Sequence, residues 1–234
     1  PSIDGPWARF RAEFAESRLA MAGLAILVPI LVVGLLAPVI SPQNPYDLSQ
    51  LDVMDSKLAP GEKSADGRTY WLGTDDQGRD MLSGIFYGLR ISLGVGIAST
   101  VFALAIGLVF GLVAAYFGGW VDTLVMRIVD IQLSFPAILI ALILLAVLGQ
   151  GVDKIVFALV TVQWAYYART VRSSALVERQ KEYIEAARVL ALGQARVVFR
   201  HLLPNCLPPL IVVATVQVAH AIALEATLSF LGLG

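Results

Sequence analysis

A single cysteine, Cys206, stands in the 234 residues. One thiol closes no internal disulfide, and no second cysteine or histidine cluster accompanies it to build a metal site. Charge is scarce as well: 15% of residues are charged, where ordinary soluble domains carry about 25%. The 17 Lys and Arg against 18 Asp and Glu give a formal net charge of -1, so no basic surplus exists to hold nucleic acid through its phosphates. The chain has no glycine-rich phosphate loop ending in Gly-Lys-Ser or Gly-Lys-Thr, which excludes the usual way of cradling ATP. It has no His-Glu-x-x-His zinc helix and no credible nucleophile and base pair, which argues against an intramembrane hydrolase.

Apolar residues are what the chain has in excess, at 57%, and they gather into long runs. About twenty residues at about 1.5 Å each cross the roughly 30 Å hydrocarbon layer of a bilayer. Five runs are expected to do so: residues 19–40, 91–117, 131–148, 152–167 and 207–233. The fourth opens on Asp153 and Lys154 and closes on Trp164, Tyr166 and Tyr167, aromatic residues expected at an interfacial belt. The first is too long for the apolar core of a signal peptide, and no small-residue cleavage site follows it. The fold class predicted is all-α, a polytopic transmembrane helical bundle with five spans.

Lys and Arg near span ends are held on the cytoplasmic side during insertion. Residues 1–18 carry Arg9, Arg11 and Arg18, and residues 168–206 carry Arg169, Arg172, Arg179, Lys181, Arg188, Arg196 and Arg200. Both segments are expected inside, which makes 1–18 a cytoplasmic N-terminal segment and 19–40 the first transmembrane helix. Residues 41–90 hold five basic and eight acidic side chains and form the extracytoplasmic loop, and 91–234 forms the core. The apolar ending, Ser229 to Gly234 without a polar flank, raises the expectation that a further span follows.

Local patterns add detail. Gly96, Ala103, Gly107, Gly111 and Ala115 recur at sevens and fours, one small-residue stripe along the second span that lets another backbone approach, either a partner helix or this chain's own bundle. In the outer loop Gly73 and Gly78 supply turns, and Thr74 or Asp75 can cap a short helix. Asp75, Asp76 and Asp80 lack the glycine and terminal glutamate of a calcium-binding EF-hand loop, so turn and cap roles are expected of them. In the inner segment, Leu176, Tyr183, Ile184, Ala187, Leu190 and Ala191 fall at near-helical intervals opposite Glu178, Arg179, Lys181, Glu182 and Arg188. That predicts one amphipathic helix over residues 173–190, ended by Gly193, lying on the membrane or docked to another protein.

Ionisable residues inside apolar runs mark either a path or a polar contact. Asp130, His220 and Glu225 are such residues. His220 and Glu225 point about 140° apart on a helix and do not make one site. Arg127 and Asp130, three apart, are placed to pair with each other. A proton relay in an ion-gradient-driven secondary transporter would need these groups to converge.

Three stretches together resemble one family, the permease subunits of binding-protein-dependent ABC importers, in their dipeptide, oligopeptide and nickel branch. Trp71-Leu-Gly-Thr-Asp-Asp-Gln-Gly-Arg-Asp80 with Tyr87-Gly-Leu-Arg-Ile-Ser-Leu93 resembles the signature before the second span of that branch's C-type permease. Glu185-Ala186-Ala187 followed by Phe199-Arg-His-Leu-Leu-Pro-Asn205 resembles the EAA loop of ABC import permeases, and the run from Glu225 to Gly234 the family's fifth-span ending. Where the family usually has a glycine six residues after the motif's glutamate, this chain has Ala191, with Gly193 two places on, so the helix is expected to run half a turn longer.

The resemblance implies the type I importer permease fold, with a sixth helix beyond the C-terminus. It also implies an ATPase-coupling site at Glu182, Tyr183, Glu185, Ala186, Ala187, Ala191 and Gly193, within the coupling loop at about 168–206. His220 and Glu225 stand as candidates for the translocation path or gate. The implied partners are a second homologous permease, two ATP-binding cassette ATPase subunits and an extracytoplasmic peptide-binding protein, in the bilayer of a bacterial inner membrane. ATP and Mg belong to the ATPase partners, and this chain holds no cofactor of its own. The implied cargo is a small peptide, with a nickel chelate or another small solute as the alternative.

Overall fold

The computed structural model describes residues 6–64, 67–190, 192–193 and 196–233. Among them the regular structure is helical, relieved by two isolated bridges, Lys63 to Thr69 and Thr74 to Asp80. Helices α1 (Pro6–Glu16), α2 (Arg18–Ile40), α3 (Met81–Phe117), α4 (Gly119–Leu133), α5 (Ala137–Leu148), α6 (Val152–Glu178) and α7 (Glu182–Val189) precede a π-helical turn, Val197–Leu202, that runs directly into α8 (Leu203–Phe230). The chain forms two compact units that divide within α3, one up to Leu93 and one from Gly94.

In the first unit α2 is apolar on almost every side and buries only Gly34 and Ala37, as a helix facing lipid does. Ser17 caps its start, accepting from the Ala20 amide at 3.3 Å. At Gly34 a Cβ would stand 2.9 Å from Leu93 Cδ1, so glycine lets α2 lie close on the start of α3. The outer loop is irregular, as its prolines and turn residues predict, and is closed by polar side chains. Gln43 accepts from the Asp80 amide at 2.7 Å, donates from its own amide to Ser83 Oγ at 3.1 Å and reaches the Gln50 carbonyl at 2.8 Å. Asp80 is the cap of α3, taking the Ser83 amide at 2.9 Å and its hydroxyl at 2.5 Å. Thr74 and Asp75, the expected caps, serve the loop instead. Thr74 bonds the Leu58 amide and the Asp55 carbonyl, and Asp75 takes the amides of Gln77 and Arg79 and the Arg79 guanidinium. Gly78, at φ +74°, passes so near Asp52 that a Cβ would meet its carbonyl oxygen at 2.0 Å.

The second unit is built around α6. The small-residue stripe of α3 packs on it at two glycines, where a Cβ at Gly107 would meet Tyr167 Cβ and the Trp164 oxygen and one at Gly111 would meet the Ala168 oxygen at 2.6 Å, while Gly96 faces Ile222 of α8. The stripe therefore serves this chain's own bundle. On another side α4 is tied to α6 by Asp122 and Arg172, a bidentate pair at 2.5 and 2.6 Å, by Asp130 with Arg169, and by Gln132 with Trp164 Nε1 at 2.8 Å. Asp130 thus pairs across helices with Arg169 rather than with Arg127 on its own helix.

Three helical stretches are long and apolar enough to cross a bilayer, α2, α3 and 197–230; α4 and α5 make a fourth if counted as one span bent by 88°. Pro136 causes that bend, since the residue before a proline leaves the helical region and the proline has no amide to continue the ladder. The expected third run, 131–148, begins in α4, and the expected link before it is helical. The expected fourth run lies in α6, whose Asp153, Lys154, Arg169 and Arg172 keep it below the hydropathy of a simple span. Of the three aromatic residues expected at an interface, Tyr166 is exposed and the other two turn into the bundle. Tyr167 is completely buried and Trp164 is bonded to Gln132, because α6 continues past them for eleven residues.

Candidate coupling site

The amphipathic stretch read as one helix over 173–190 is two. Three residues, Arg179 to Lys181, separate α6 from α7, and the end of α6 tightens there, Gln180 bonding the Val177 carbonyl and Lys181 that of Glu178. The break comes from side chains that leave the helix to bind elsewhere. Arg179 reaches the carbonyls of Ala115 and Tyr116, the last turn of α3, where a helix presents unpaired oxygens and the negative end of its dipole. Glu178 is the hub of the turn: Lys181 Nζ donates to one carboxylate oxygen at 2.5 Å and the Tyr183 hydroxyl to the other at 2.5 Å. Those two hydrogen bonds, from Lys181 first and then Tyr183, hold the Glu178 carboxyl below its usual range. Burial, reinforced by the bond to Glu178, pushes the Tyr183 phenol up to about 12.

Helix α7 then presents two different faces. Ile184 and Ala187, three apart, are 1% and 4% exposed and belong to a cluster with Ala115, Tyr167, Val171, Ala175, Leu202 and Cys206. Ala187 is therefore directed into this chain's own core rather than outward, and the expectation that it meets a partner moves to its neighbours. Glu182, Glu185 and Ala186 are exposed, Val189 is 86% exposed and Leu190 73%. An exposed apolar pair beside two free carboxylates has the character of a contact surface. Tyr183 lies between the two faces. Ala191 lies outside the described residues; α7 ends at Val189, before the half turn expected from the missing glycine. The Gly193 carbonyl accepts from Val197 at 3.1 Å and opens the turn into α8. Beneath α7 a cavity of about 510 Å³ is bounded by Tyr116, Phe117, Arg179, Ile184 and Leu202.

Residues 107–234 match the family of the binding-protein-dependent transport system inner membrane component, and residues 5–60 match the N-terminal TM domain of oligopeptide transport permease C. The chain belongs to this inner-membrane transport family. It is 37% identical, over 98% of its length and 72% of the relative's, to the dipeptide transport system permease protein DppC of Alkalihalophilus pseudofirmus. To the oligopeptide transport system permease protein OppC of Bacillus subtilis it is 35% identical, over 97% and 72%. Among solved structures, a chain of the MetNI methionine ABC transporter in inward-facing form superposes with a TM-score of 0.56 at 26% identity, covering 64% of this chain and 75% of that one. The transport component is thus an all-α, multi-pass membrane protein of the ABC importer type.

The two candidates for the path fall in different places on α8. Glu225 is 5% exposed and accepts from Ser229 Oγ at 2.8 Å, one turn along its own helix. His220 is exposed and lines an open groove of about 440 Å³ with Tyr166, Gln163 and Gln217. Glu225 does not line it, so the two residues remain apart, as their spacing predicts. Among the described residues no three His, Cys, Asp or Glu side chains gather to hold a metal. Sequence reasoning placed Glu178 and Arg179 on the polar face of one helix and missed their bonds to the turn and to the end of α3; it missed Gln163 and Gln217 altogether, whose signal is an amide inside an apolar run.

Proposed function

We infer that this chain is one permease half of an ATP-driven importer of small peptides, paired with a second permease, served outside by a binding protein and driven inside by two ATPase subunits that hold ATP and Mg. The names of the DppC and OppC relatives support the cargo, and the family's dependence on binding proteins supports the delivery. Residues 1–18 and 168–206 face the cytoplasm and 41–90 the outside, on the strength of the seven basic residues of the inner segment.

The observation that carries the reading is the mounting of α7. Its outer face, Glu185, Ala186 and Val189, is free to dock, while its inner face is fixed to α6 through Glu178 and, through the Arg179 turn, to the end of α3. A push on α7 cannot be absorbed by the turn and passes to α3, α6 and α8 as a rigid displacement. Alternating access needs two such arrangements of the bundle, biased by the partners' nucleotide state. Uptake of a labelled dipeptide by the reconstituted complex tests this: it should stop when ATP is depleted with the ion gradient held, whereas uptake that follows the gradient would make the chain a secondary transporter.

A further inference from the structure

The groove beside His220 has an unusual wall. Gln163 on α6 and Gln217 on α8 are 4% and 7% exposed. The Gln163 side-chain amide donates to the Gln217 main-chain oxygen at 3.3 Å, which fixes which end of Gln163 is the carbonyl. That carbonyl, Oε1, and the Gln217 Nε2 are both buried without a protein partner. Leaving buried polar atoms unpaired is costly, and polar residues kept inside membrane helices mark a path. Their chemistry is specific: one free acceptor and one free donor, on two residues of different helices that line the same groove. A peptide group offers the matching donor and acceptor.

Resting on the peptide-importer reading above, we propose that this groove is a contact point of the translocation path that reads the main chain of the cargo. Gln163 Oε1 accepts from a peptide N–H and Gln217 Nε2 donates to a peptide C=O. The contact is indifferent to side chains, as a path that follows selection by a binding protein requires.

The test uses proteoliposomes holding the complete importer, with binding protein in saturating, loaded form. Two cargoes are compared, a labelled dipeptide and its ester isostere, in which oxygen replaces the peptide N–H. Gln163→Met and Gln217→Met keep side-chain length, and only complexes that co-purify with all subunits are compared. In Gln163→Met the ratio of peptide to ester uptake should fall about tenfold, because the ester never used that acceptor. In Gln217→Met uptake of both cargoes should fall and their ratio should stay at the wild-type value, because both retain the carbonyl. A wild-type ratio in Gln163→Met, with uptake of both cargoes equally reduced or unaltered, overturns the contact and leaves the pair a packing feature. Failure of the wild-type complex to import either cargo overturns the peptide reading itself.

Discussion

Arg179 donates to the main-chain oxygen of Ala115, so the turn that begins the coupling helix is bonded to the last turn of the longest helix in the chain. Both bonds, to Ala115 and Tyr116, come from one guanidinium nitrogen, Nη1, which stands farther from the backbone than a lysine ammonium reaches. Arg179→Ala should destabilise the second unit by on the order of 1–2 kcal/mol, and in the assembled importer it should lower uptake more than ATP hydrolysis. Arg179→Lys should recover stability only in part. Thermal melts and the ratio of peptide moved to ATP consumed measure the two effects.

Glu178 makes the same turn sensitive to acid. Its carboxyl lies below the ordinary value of 4.5, so its contribution is fully present above that pH and is lost as pH falls through the lower folded value. The melting temperature of wild type should exceed that of Glu178→Gln at neutral pH, and the gap should close as pH falls below about 4.5. A gap that widens in acid would contradict this account of the turn.

Gly107 and Gly111 leave no room for a Cβ against α6. Gly107→Ala should cost about 1–3 kcal/mol through forced separation of the two backbones, and Gly107→Val should prevent a stable bundle. Melts of the chain expressed without its partners decide the point, because the contact lies within one chain.

Much of this was legible in the residues. The apolar runs gave α2, α3 and α8, and the stripe of glycines and alanines gave a close helix contact, because both depend on local period. The motif at Glu185 to Ala187 located α7, but not which way it faces. Ile184 and Ala187 turn inward because Tyr167, Val171 and Leu202, distant in sequence, form their pocket. The break at Arg179 was illegible for the same reason: its partner is a main-chain oxygen 64 residues away. The bend before α5 was signalled by Pro136 and masked by the apolar run around it.

Topology is tested at Lys63 and Gln180, both exposed. With Cys206 replaced, cysteine at Lys63 should react with an impermeant thiol reagent in intact cells, and cysteine at Gln180 only after the membrane is opened. Labelling of both from outside would reverse the orientation proposed for the inner segment.

The faces of α7 make the most direct test of the coupling mechanism. Ala186→Trp adds bulk to the exposed face and Ala187→Trp to the buried one, so the two neighbours should fail differently. Ala187→Trp should lower the melting temperature of the chain alone, by overpacking its own core. Ala186→Trp should leave that melting temperature within a degree or two of wild type. In the reconstituted importer, substrate-stimulated ATP hydrolysis and dipeptide uptake should both be lost in Ala186→Trp. If Ala186→Trp couples hydrolysis to uptake at the wild-type rate, α7 is a passive element of the membrane surface and the account is wrong.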